Sequence, residues 1–87
     1  MKRKSKQGRN QKRLAGKGEN PLVTAFAGNL CVWRKKNGVK LREVAAELDL
    51  SVSIVSEWAH GRRFPNVDHF YALSQYTGIP AWKFLRP

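Results

Sequence analysis

Acidic side chains are scarce in this sequence: six stand against seventeen lysines and arginines, for a net charge of +11 over 87 residues. There is one cysteine, Cys31, so no internal disulfide can form, and on a predicted helix its thiol packs rather than reacts. A reducing cytosolic setting fits. No apolar run approaches the roughly 20 residues of a membrane span. The run Leu22-Val23-Thr24-Ala25-Phe26-Ala27 after a basic start holds a small-x-small triplet. Its apolar part is far shorter than the roughly seven to fifteen residues of an export signal, so export is not expected. Cys31, His60 and His69 lack metal-ligand spacing, the acids form no pair, and there is no GxxxxGK[ST] phosphate loop. Catalysis, a metal, a cofactor and a small-molecule ligand are therefore not expected, and internal repeats are absent.

The positive charge is unevenly placed. Residues 1–20 carry Lys2, Arg3, Lys4, Lys6, Arg9, Lys12, Arg13 and Lys17 against Glu19, a balance of +7. Residues 21–87 hold nine basic and five acidic side chains, a balance of +4. Leu14 is the one large apolar residue of the first segment after Met1, too little to offset the entropy of ordering it. The expectation is a disordered basic arm over 1–20 and one small domain over 21–87. As a solvated charge run the arm keeps the domain soluble. As a nucleic-acid arm it neutralises phosphates and adds affinity without reading sequence.

Within the domain, Asn20-Pro21 reads as a helix start, and Leu22, Phe26, Leu30 and Trp33 form an apolar face that Asn37-Gly38 ends. Leu41, Val44, Ala45 and Leu48 repeat at helical spacing, and after Asp49-Leu50-Ser51 so do Val55 and Trp58. Asp49 tolerates the left-handed backbone of a tight turn, Leu50 plugs the corner and Ser51 caps the next helix, about Val52 to His60. Gly61 stops that helix. Asn66 then caps a fourth helix that buries Val67, Phe70, Leu73 and Tyr76 and ends at Thr77-Gly78, and a fifth follows Pro80 as Ala81 to Leu85. Two short helices pinned at an angle are the layout of a helix-turn-helix.

The run from Leu30 to Leu85 resembles the Cro/repressor-type (Xre-like) helix-turn-helix family. The match rests on Leu30, Trp33 and Arg34 before Gly38-Val39, then Glu43-Val44-Ala45 and Leu48. It continues through Ser51, Val55, Trp58, Gly61, Arg63 and Pro65 to Leu73 and Gly78-Ile79. The resemblance implies an all-α, compact five-helix DNA-binding domain whose third helix enters the major groove. On that match the base contacts fall on Val52, Ser53, Ser56 and Glu57. These suit a thymine methyl, hydroxyl donors and acceptors, and a cytosine amino group, with no Arg or Asn for purines. Glu57 has a second reading, an exposed acid paired with Arg34 or Arg62. Backbone contacts are expected from Arg34, Lys40, Ser51, His60, Arg62, Arg63 and Asn66.

Three departures from the family pattern stand out. Ala59 replaces the glutamate that commonly pairs with the position of Arg34. Lys40 replaces a capping Ser or Thr, and its ammonium cannot accept a helix N–H. Trp82 occupies a usually polar position while Phe84 and Leu85 match core residues of the family, and Trp82, Phe84 and Leu85 are together nominated as a dimer interface. The expected function is a cytoplasmic, nucleoid-associated transcriptional regulator, a small dimeric repressor or autoregulator reading an inverted repeat in double-stranded DNA. Two alternatives remain: a protein-binding adaptor or antitoxin on the same fold, and a nonspecific nucleic-acid binder driven by the arm.

Overall fold

Asn20 and Pro21 open the first helix through their own chemistry: the Asn20 Oδ1 accepts the Leu22 N–H at 2.9 Å, and Pro21 has no N–H to satisfy. The computed structural model describes residues 20–87, and all of its regular structure there is helical. In chain order the elements are α1 (Pro21–Asn37), α2 (Leu41–Leu48), α3 (Val52–Ala59), α4 (Val67–Thr77) and α5 (Ala81–Phe84). The basic arm, with Lys2, Arg3, Lys4, Lys6, Arg9, Lys12, Arg13 and Lys17, lies outside the described residues. No described helix is long and apolar enough to cross a membrane.

α2 and α3 have eight residues each, too short to be stable alone in water, so packing and caps must hold them. The turn between them is built as the sequence predicts. Asp49 sits at φ 58°, the one non-glycine residue of positive φ among those described. Its neighbour Leu50 donates its N–H to the Ala45 carbonyl at 2.8 Å, and the Ser51 Oγ accepts the Ile54 N–H at 3.3 Å. Ala45 is buried at the α2–α3 crossing, where a larger side chain would push the helices apart. At the other end of α3, Gly61 takes φ 72°. A Cβ there would meet only Ala27 Cβ at 3.8 Å, so backbone conformation rather than space calls for glycine.

The core is a single cluster of Phe26, Leu30, Val44, Ala45, Val55, Trp58, Leu73 and Phe84. Phe26 is its node. Its ring centroid lies 6.3 Å from Trp58, 5.0 Å from Phe64, 5.8 Å from Phe70 and 5.5 Å from Phe84, mostly edge to face. One side chain of α1 thereby touches α3, the loop after it, α4 and α5.

Three apolar expectations need correction. Val67 is 81% exposed, because the first residue of α4 projects beyond the cluster that Phe70 and Leu73 enter. Leu22 is likewise exposed, one turn before Phe26, where no other helix covers α1. Phe84 is fully buried under Phe26 and Phe70, so the nominated interface loses its central member. Trp82 stays 64% exposed on α5, and Leu85 is half-buried.

Two predictions follow from the packing. Phe26→Ala should cost about 3–5 kcal/mol. For a domain of this size that is most of the roughly 3–10 kcal/mol available, so circular dichroism should find the variant largely unfolded at 37 °C. Tyr76 packs edge-on against Trp33 at 5.5 Å. Its phenol is held above the ordinary value of 10.0, first by burial and then by the charges of Glu47 and Glu43. The fold therefore favours the neutral phenol. That contribution is complete below about pH 10 and is lost as pH rises through the folded value. Tyr76→Phe should flatten the fall of melting temperature as pH rises above about 10.

Candidate nucleic-acid interface

The first two turns of α3 form the outward surface of the helix-turn-helix. Val55 and Trp58 face the core, which leaves Val52 and Ser53 exposed and Ser56 and Glu57 half-exposed. Their shared face follows from the 3.6-residue period, not from any contact among them. Glu57 makes a hydrogen-bonded ion pair with Arg62, Oε2 to a guanidinium nitrogen at 3.4 Å. Of the two partners its ion-pair reading offered, Arg62 is taken and Arg34 is not. As a solvent-exposed pair it adds little stability. Its electrostatic effect matters more, since a lone carboxylate on this face would repel phosphate.

His60 ends α3. Its Nδ1 lies 2.8 Å from the Ser56 carbonyl and 3.4 Å from the Ser56 hydroxyl, so that nitrogen donates back to the helix and Nε2 is the one turned away. Arg62 and Arg63 follow on the exposed loop. Arg63 shares a pocket of about 230 Å³ with Trp58, Phe64, Pro65, Asn66 and His69. Asn66 caps α4 there, its Oδ1 accepting the His69 N–H at 2.8 Å. Asp68 in the first turn of α4 already complements the helix dipole, so an anion at this end meets a carboxylate as well as free N–H groups.

A second basic surface lies between the end of α1 and the start of α2. Cys31, Arg34, Lys35, Val39 and Lys40 line a groove of about 560 Å³. Lys40 is the N-cap residue of α2 and has no side-chain role in the cap. Glu43 supplies half of a capping box instead, its Oε1 accepting the Lys40 backbone N–H at 2.7 Å. The Cys31 thiol donates to the Ala59 carbonyl at 3.6 Å, which brings the end of α3 against the stripe of α1 that carries Arg34 one turn further on. Arg34 Nε is buried and has no acceptor among the described residues. Ala59, where the family commonly has a glutamate, has no carboxylate to offer.

The profile of the helix-turn-helix family, Cro/C1 type, matches residues 33–81, more than half of the chain. The chain belongs to that family. No curated protein and no solved structure matches it significantly. Membership makes this a DNA-binding helix-turn-helix domain of the kind found in regulators.

Within this helix-turn-helix domain, spacing alone puts Val52, Ser53, Ser56 and Glu57 on one helix face, with Ser51 as its cap. Trp82, Phe84 and Leu85 are not part of that surface; they belong to or flank α5, which packs on α1 and α4. Two features have no clear sequence signal. Phe64, in the loop after α3, packs edge-on against Phe26 and Phe70, although nothing in its spacing marks it as packed. Asn29 is a polar residue on a largely apolar helix, and it ties the chain end to α1.

The unpaired Arg34 gives a direct test. Ala59→Glu restores the carboxylate that the family commonly places opposite this half-buried arginine. After solvent screening of a half-buried pair, the gain should be up to about 1 kcal/mol. Thermal unfolding should then move up by about 4–8 °C at low salt. A lowered midpoint would mean that Arg34 is already satisfied in another way.

Proposed function

We propose that this protein is a sequence-specific transcriptional regulator of double-stranded DNA, with α3 in the major groove. In this reading it is a small repressor that binds as a dimer to an inverted repeat. The observation that carries the proposal is the outward α3 face: Val52 and Ser53 exposed at its N-terminal end, Ser56 and Glu57 behind them, and Arg62 and Arg63 on the adjoining loop. The N-terminal residues of a recognition helix are those that reach base edges.

The roles divide by chemistry. Val52 offers apolar contact to a thymine methyl. Ser53 and Ser56 exchange hydrogen bonds with base edges. Glu57 accepts from a cytosine amino group once Arg62 moves from it to a phosphate. Arg34, Lys40, Ser51, His60, Arg63 and Asn66 contact the sugar-phosphate backbone. Since no arginine reads guanine here, part of the selectivity comes from DNA shape. Residues 1–20, as a basic arm, add affinity through counterion release. Trp82 and the edge of Leu85 are the candidate contact of the dimer, and the protein acts in the cytoplasm at the nucleoid. Catalysis has no part in this reading. The exposed Trp82 also suits an adaptor or antitoxin that uses the fold to grip a protein.

Selection of random duplexes at about 150 mM salt, with the full chain and with a form lacking residues 1–19, tests the proposal. Both forms should enrich one inverted repeat, each altered base pair costing about 1–3 kcal/mol. The shorter form should bind more weakly, with a salt dependence reduced by about 0.9 in log–log slope for each phosphate that the arm no longer neutralises. An enriched half-site alone would remove the dimer. No enriched site, with all binding abolished along with the arm, would leave a nonspecific binder.

A further inference from the structure

A third surface lies beyond Val32, which it shares with the basic groove of Arg34 and Lys40. Asn29, Val32, Trp33, Lys36, Ile79 and Lys83 line a groove of about 270 Å³ between α1, the turn after α4, and α5. It is held in shape by hydrogen bonds. The Asn29 Nδ2 lies 2.7 Å from the Phe84 carbonyl, 2.9 Å from that of Arg86 and 3.2 Å from that of Lys83, so one amide shares its two N–H groups among three acceptors. The Ser74 hydroxyl donates to the Ile79 carbonyl at 2.7 Å and fixes the far wall. Val32 stands 64% exposed at the rim. An exposed valine beside a preformed apolar groove marks a contact surface rather than a solvated face.

Charge decides what fits. From Asn20 to Arg42 and from His69 to Pro87 the chain has no aspartate or glutamate, while Lys36 and Lys83 flank the groove and Arg34, Lys35 and Arg86 lie in the same segments. The chain's own N-terminal segment is excluded as occupant, since residues 1–20 carry +7. A second copy docked here would bring the same lysines against each other, and like charges across an interface cost binding energy. A duplex backbone offers the lysines phosphate but gives Val32 and Ile79 nothing apolar.

We propose that this groove docks an acidic, amphipathic segment of a partner protein. An apolar side chain seats between Val32 and Ile79, and its flanking carboxylates meet Lys36 and Lys83. Trp82, the residue before Lys83 on α5, lies outside the groove lining. Docking here leaves the α3 surface free, so the same molecule holds its partner while on DNA.

Selection of random 15-residue peptides on the immobilised full chain tests this. The strongest peptide is then made synthetically and titrated by fluorescence anisotropy. Enriched peptides should place Leu, Ile or Phe next to Asp or Glu. Val32→Ala should lower peptide affinity several-fold and Lys83→Glu roughly tenfold, both at exposed positions and neither adding a negative charge to the basic groove of Arg34 and Lys40, so melting temperature and the choice among duplexes should stay unchanged. The proposal is overturned by enrichment of peptides without acidic residues, or by affinity that neither substitution changes. It is equally overturned if resonances of Val32 and Ile79 shift on adding duplex, or on raising the chain's own concentration, and not on adding the peptide.

Discussion

Phe26 is the point on which the domain depends. Its ring meets Trp58 of α3, Phe64 of the following loop, Phe70 of α4 and Phe84 at the end of α5. No helix after α1 exceeds eleven residues, so none is stable through its own hydrogen bonds. They persist because one long helix presents a side chain against which α3, α4 and α5 pack, while α2 is held by packing on α3 and α4. Trp58 is the functional end of this series of contacts. With its ring buried against Phe26, α3 has one rotation about its axis available, and that rotation turns Val52 and Ser53 to solvent.

Charge is arranged on this frame by what is missing as much as by what is present. Ala59 withholds the carboxylate that would occupy Arg34, and the guanidinium is left with a buried donor beside a basic groove. Glu57, the one acid of α3, is covered by Arg62. The surface therefore shows phosphate no unpaired negative charge near its centre. Under the proposed function, a duplex that breaks the Glu57–Arg62 pair would gain both a base contact and a backbone contact in the same movement, coupling sequence reading to phosphate binding.

Much of this is legible in the residues. The Asp49-Leu50-Ser51 corner, the small Ala45 at the crossing, and the caps at Asn20, Ser51 and Asn66 each follow from local chemistry, and each takes the expected place. The pattern is less informative at helix ends. Val67 and Leu22 have the right period for a core face but project past the cluster, because periodicity gives direction around a helix and not position along it. Phe84 suits a core and an interface equally well by its chemistry; the family match puts it in the core, and the tertiary arrangement shows Phe26 and Phe70 closing over it. The Asn29 tie, which joins residues far apart in the chain, has no local signal at all.

The central claim is that the N-terminal face of α3 reads base edges. Backbone amide resonances of the full chain, followed while its selected duplex is added and then while that duplex is replaced by one with the central bases exchanged, test it most directly. The account predicts that Val52, Ser53, Ser56 and Glu57 shift with both duplexes but to different end positions, while Asn29 and Ile79 do not move. Identical end positions for the α3 residues, or shifts confined to Arg34, Lys40 and Arg63, would contradict it, since α3 would then be meeting only the sugar-phosphate backbone.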